Sequence, residues 1–79
     1  MPEDSGGLPI WTVYERQPEF PGLYVARLWL IRRGHSDPIA TDTTVTASTL
    51  EELREKLPFG LHRLPRNPND DPVIVETWV

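Results

Sequence analysis

Seventy-nine residues, 38% of them apolar and with a net charge of −4, make one small domain and leave no room for a second. With no cysteine, the chain has neither a disulfide framework nor a thiolate metal site to supplement a small core. The acidic balance opposes nonspecific binding to nucleic acid, which depends on neutralising phosphates with Lys and Arg.

No apolar run approaches the roughly 20 residues that cross a bilayer. The start, Met-Pro-Glu-Asp-Ser-Gly-Gly, is acidic and Gly-rich, unlike the basic opening of a secretory signal. The expected location is the cytoplasm, with no membrane contact. Seven of the eight basic residues are Arg. Arg suits bidentate anion contacts and aromatic stacking, although an Arg- and Pro-rich genome would produce the same bias.

In chain order, residues 1–8 hold Pro, Gly, Ser and two acids without periodicity and predict a disordered tail, with one folded domain over 9–79. Residues 10–16 (Ile-Trp-Thr-Val-Tyr-Glu-Arg) are dense in β-branched and aromatic types and predict a first strand. Residues 17–22 contain Pro18, Pro21 and Gly22 and predict a turn. Residues 23–33 form the longest strand candidate. Leu23, Val25, Arg27, Trp29 and Ile31 alternate with Tyr24, Ala26, Leu28, Leu30 and Arg32, so both faces are mainly apolar. Such a strand needs cover on both sides. Residues 34–38 predict a turn, and the Thr-rich stretch 39–47 a third, less buried strand.

The clearest helix signal in the chain follows over 48–60. Ser48 and Glu51 have capping-box spacing, and Leu50, Leu53 and Leu57 give an apolar stripe. Glu52 and Lys56 form a favourable i, i+4 pair, and Pro58 and Gly60 end the helix. Residues 61–64 predict a short edge strand, limited by Pro65. Residues 66–72 reverse the chain, and 73–79 (Val-Ile-Val-Glu-Thr-Trp-Val) predict a closing strand. The fold class is therefore α+β: an antiparallel sheet of four to five strands with one helix on one face, in the order β-β-β-α-β-β.

Chemistry-bearing motifs are sparse. His35 sits in a Gly-Ser-Asp-Pro turn beside Ser36 and Asp37, but neighbours in a tight turn diverge and make no triad. His62 lies in a short segment after the helix. Both read as surface imidazoles. Asn67, Asn69, Asp70 and Asp71 offer oxygen ligands in one loop, yet the spacing matches no calcium loop, and Asn and Asp are ordinary turn residues. The adjacent acid pairs Glu51/Glu52 and Asp70/Asp71 lack acid/base geometry. No phosphate loop, nucleophile elbow or zinc spacing occurs. The expectation is no catalytic residues, no metal and no cofactor.

One constellation carries a functional reading. If the helix covers the face bearing Trp11, Val13, Tyr24, Ala26, Leu28, Leu30, Val73 and Val75, alternation puts Tyr14, Arg27, Trp29 and Trp78 on the opposite face, with Arg63 near them. Aromatic and Arg side chains dominate interface hot spots, and exposed aromatics on a sheet also stack single-stranded bases. The plain alternative is padding, with Arg stems lying over rings. A one-residue bulge would invert the assignment.

The stretches Trp-Thr-Val-Tyr-Glu-Arg at 11–16, Tyr-Val-Ala-Arg-Leu-Trp at 24–29 and Leu-Pro-Arg…Asp-Asp-Pro-Val-Ile-Val-Glu-Thr-Trp at 64–78 resemble short uncharacterised bacterial proteins of this layout. The resemblance implies a bacterial or phage-related origin and carries no activity or site residues with it. The function expected is a noncatalytic protein-interaction module that binds a protein partner or itself, through a sheet face or edge. The rival is a binder of single-stranded nucleic acid or an anionic ligand through the same Arg and aromatic face. A small enzyme is the weakest reading.

Overall fold

A computed structural model describes residues 7–34, 37–66, 69 and 71–79. The expectations for the tail over 1–6, for His35 and Ser36, and for Asn67 and Asp70 lie outside the described residues. The elements are β1 (Leu8–Tyr14), β2 (Tyr24–Ile31), β3 (Ile39–Ala47), α1 (Leu50–Lys56), β4 (Arg63–Leu64) and β5 (Ile74–Trp78). They realise the α+β class in the order β-β-β-α-β-β. The strands pair antiparallel throughout, in the spatial order β3-β2-β1-β5-β4. β1 is thus the central strand.

β1 starts earlier than its composition suggests, because Leu8 already pairs with Ile31. Gly7 explains the abrupt start. Its φ is 66°, and a Cβ there would stand 2.7 Å from the Ile31 carbonyl oxygen, so only glycine brings the chain in this close. β1 also ends early, at Tyr14, and Arg16 turns away with φ 56°. Two β-turns then join β1 to β2, closed by Phe20 N–H to the Gln17 carbonyl at 3.0 Å and Leu23 N–H to the Phe20 carbonyl at 3.1 Å. Pro21 and Gly22 hold the central positions of the second turn. Gly22, at φ 77°, supplies the positive φ that a type II turn requires.

The N-cap is shifted by one residue from the expected Ser48. Thr49 is the N-cap, with extended backbone, and its hydroxyl accepts the Glu52 N–H at 3.1 Å. Ser48 lies one step earlier and donates its hydroxyl to Glu52 Oε1 at 3.1 Å. Both spacings fit Ser-Thr-Leu-Glu-Glu, and the register that turns Leu53 into the core decides between them. Lys56 reaches across to the Thr46 carbonyl at 2.9 Å, tying the last turn to β3. Leu57 is extended, as the residue before Pro58 must be.

The core lies between α1 and one face of the sheet. Trp11 and Val13 of β1, Ala26 of β2, Ala47 of β3, and Leu53 and Leu57 form it, with Tyr24, Leu28, Val45, Leu50, Leu61, Val75 and Trp78 packed around. Leu53 is 0% exposed. Among the described residues no helix is long and apolar enough to cross a membrane.

Two outcomes test this account. Leu53→Ala is expected to cost about 2–5 kcal/mol as a core truncation, read as a lower denaturant midpoint at an unchanged slope. A midpoint equal to that of the parent would mean the leucine stripe is not docked. Thr49→Ala is expected to cost about 1 kcal/mol and Ser48→Ala only a few tenths; the reverse ranking in thermal melts would return the cap to Ser48.

Candidate functional site

The two faces of the sheet follow from the register. Trp11 and Val13 point toward α1, so Leu8, Ile10, Thr12 and Tyr14 point away. Pairing carries the second set across the sheet. Leu8 opposes Ile31, Ile10 opposes Trp29, Thr12 opposes Arg27, and Tyr14 opposes Val25. Further out, Trp29 opposes Ala40, Arg27 opposes Thr44, and Val25 opposes Thr46. On the other side of β1, Thr12 opposes Thr77 and Tyr14 opposes Ile74. Leu64 opposes Thr77. His62 and Val79 exchange backbone hydrogen bonds of 2.7 and 2.9 Å, extending the β4–β5 ladder by one pair. Val79 therefore continues the alternation of Thr77 onto this face.

No described helix covers that surface. Five large apolar side chains are exposed among the described residues: Leu8 at 67%, Ile31, Leu64, Val79, and Phe59 at 105%. The first four all lie on the open face, and Ile10, Tyr14, Trp29 and Ile74 beside them are half-buried. The Trp29 indole N–H is covered, yet meets no acceptor among the described residues. At the β3 edge Asp42, between Ala40 and Thr44, is exposed. Arg27 lies on this face and is engaged within the fold: Nη1 donates to the Thr41 carbonyl at 2.6 Å. That contact belongs to a bulge in which residues 41–43 stand against Leu28 alone. The Thr41 hydroxyl holds the bulge by donating to the Leu28 carbonyl at 2.7 Å and accepting the Thr43 N–H at 3.1 Å. Such irregularity also blunts β3 as an edge for further pairing.

Of the five residues expected to share the open face, Tyr14, Arg27 and Trp29 are there. Trp78 and Arg63 are not. The ladder between β1 and β5 shifts by one residue between Val13 and Tyr14, so Trp11 faces Trp78, Val13 faces Glu76, and Tyr14 faces Ile74. This bulge reverses the parity expected for β5, which turns Glu76 and Trp78 toward the helix. Arg63 opposes Trp78 and turns with it.

Glu76 is the residue that the sequence reading missed. It is 2% exposed. Its carboxylate accepts two hydrogen bonds from Arg54, 2.9 Å from Nε and 2.6 Å from Nη2, and a third from the Trp78 indole at 2.7 Å. Arg63 Nη1 stands 3.9 Å away. Burial pushes the Glu76 carboxyl up, but the hydrogen bonds from Arg54 and Trp78 and the positive charges of Arg54 and Arg63 outweigh it. The group is held below the ordinary carboxylate range. A lone acid in an otherwise apolar strand was the available signal. Its partner, 22 positions away on the helix, was not visible.

Of the two histidines considered for catalysis, His62 lies within the described residues and is exposed. A concavity at the β1–β2 turn is lined by Glu15, Arg16, Gly22, Leu23 and Tyr24, with one carboxylate and no histidine. Asp71 shows turn chemistry: its carbonyl accepts the Ile74 N–H at 2.9 Å and its Oδ1 the Val73 N–H at 3.1 Å. Among the described residues no three His, Asp or Glu side chains cluster as a metal site would require.

The chain matches no family model, no curated protein and no solved structure.

The cluster around Glu76 makes stability depend on acid. Its folded pKa lies below the ordinary glutamate value of about 4.3, so the stabilisation is complete above that value and disappears as pH falls through the lower folded one. Melting curves between neutral pH and pH 3 should show this loss, and Glu76→Gln should flatten it; an unchanged acid slope in the variant would assign the loss to other carboxylates. Arg54→Met strands a buried carboxylate and is expected to cost about 3–5 kcal/mol. Glu76→Gln leaves an Arg54 side chain that is 36% exposed and rehydrates, at about 1–3 kcal/mol.

Proposed function

We propose that this chain is a noncatalytic, cytoplasmic protein-interaction module that docks through the open face of its sheet. One observation carries the reading: among the described residues, four of the five exposed large apolar side chains gather on the one sheet face without a helix. A monomer of this size rarely keeps a contiguous apolar surface of several hundred square ångströms wet unless something binds there. Tyr14 and Trp29 supply the rigid aromatic area typical of interface hot spots. The absence of cysteine suits a reducing compartment.

The rival reading, stacking of single-stranded nucleic acid, finds less support. It calls for cations along a groove beside the rings. Arg27 is tied to Thr41, and Arg63 and Trp78 are turned to the helix side.

The test compares the parent chain with Ile31→Glu, a change at an exposed strand end, as immobilised baits in an extract of the native cell. Protein retained by the parent is expected to fall at least about tenfold on the variant, equivalent to 1.4 kcal/mol, while the two melt alike. Equal retention on both baits would reject the open face as the docking surface.

A further inference from the structure

Resting on that reading, we infer that the occupant of the open face is a second copy of this chain, packed face to face as a two-fold dimer with the helices outermost. Three features of the face select this partner over an unlike protein.

The first is charge. An unlike partner recognised by charge needs a charged counterpart, but the strands put one cation on this face, Arg27, which Thr41 already engages, and one acid, Asp42, at the β3 edge. With one cation and one acid the face is close to neutral, so two such faces meet with little like-charge repulsion, and each offers the apolar surface that the other needs.

The second is symmetry. An isologous contact requires a self-complementary patch. β1 lies at the centre, with two strands on each side. A two-fold axis running along β1 sets β2 of one copy over β5 of the other. Arg27 then meets the Thr77 and Ile74 side of its partner, not a second Arg27. Two antiparallel sheets stacked about 10 Å apart, with strands crossing near 30°, are an ordinary sandwich.

The third is size. Strands of seven, eight, nine, two and five residues, at about 3.3 Å per residue and about 4.8 Å apart, give a face of about 490 Å². Stable interfaces bury roughly 800 Å² per partner and weak ones somewhat under 600 Å². The face has the area of a weak dimer, one that forms and dissociates with concentration.

Sedimentation equilibrium from about 1 μM to about 1 mM, the range of weak interfaces, reads this directly. The parent is expected to pass from the 9.1 kDa monomer to twice that mass. Ile31→Glu and Leu8→Glu, both at exposed positions on the face, should raise the dissociation constant at least about tenfold, equivalent to 1.4 kcal/mol. Phe59→Glu, fully exposed and off the face, should leave it unchanged. Far-UV circular dichroism at the lowest concentration checks that each variant is folded. A parent that stays monomeric throughout overturns the inference, as does a dimer that survives both face variants. The extract experiment then separates the two levels. A monomer whose bait still loses an unlike protein on Ile31→Glu removes the second copy and leaves the docking face standing; a monomer that retains nothing removes both.

Discussion

A helix of seven residues is about 10 Å long, while the five-stranded sheet beneath it is more than twice as wide. That mismatch governs the molecule. One short helix cannot blanket even one face alone, so the near face depends on ring-sized side chains on the strands beyond β2 and β3, Trp11 and Trp78 among them. The far face receives no cover from a described helix. Of the apolar residues that strand alternation sends there, Val25 is buried by its neighbours, whereas Leu8, Ile31, Leu64 and Val79 stay at the surface.

The Arg54–Glu76 pair answers the first half of the problem. α1 packs on β2 and β3, at one side of the sheet, whereas Glu76 belongs to β5 beyond the central strand. The bidentate bond therefore stretches the influence of the helix across β1 and fixes its orientation. A carboxylate at 2% exposure carries a desolvation penalty, offset here by two Arg54 bonds and the Trp78 indole. An apolar residue at position 76 would bury more easily but would not tell the helix which way to lie. Such directional contacts matter most where the core is small.

Much of the fold could be read from local pattern. The leucine stripe of α1, the Pro-Gly turn after β1, the doubly apolar β2 and the Thr-rich β3 each depend on neighbours within a few positions, and the helix and strands fall close to where those patterns put them. Even the cap misses by a single residue, because Ser48 and Thr49 both precede an acid at the right spacing. The candidate site was half legible for the same reason. Tyr14, Arg27 and Trp29 lie on strands whose alternation runs unbroken through them. Trp78 and Arg63 lie beyond a bulge, and Leu8, Leu64 and Val79 emerge as its margin only through pairing with distant strands.

The amino-acid sequence by itself determined the element types, the α+β class, the single amphipathic helix and the excess of apolar residues over what that helix could cover. Tertiary structure alone decided the strand order, the phase of β5, the burial of Glu76 and the membership of the open face beyond Tyr14, Arg27 and Trp29. The division has a physical cause. Helix and strand periodicities are properties of adjacent residues, whereas a bulge costs one extra residue in one strand and is set by how that strand meets its partner. One such shift opposite Val13 moves Glu76 and Trp78 from one side of the sheet to the other, and no reading of a lone strand contains it.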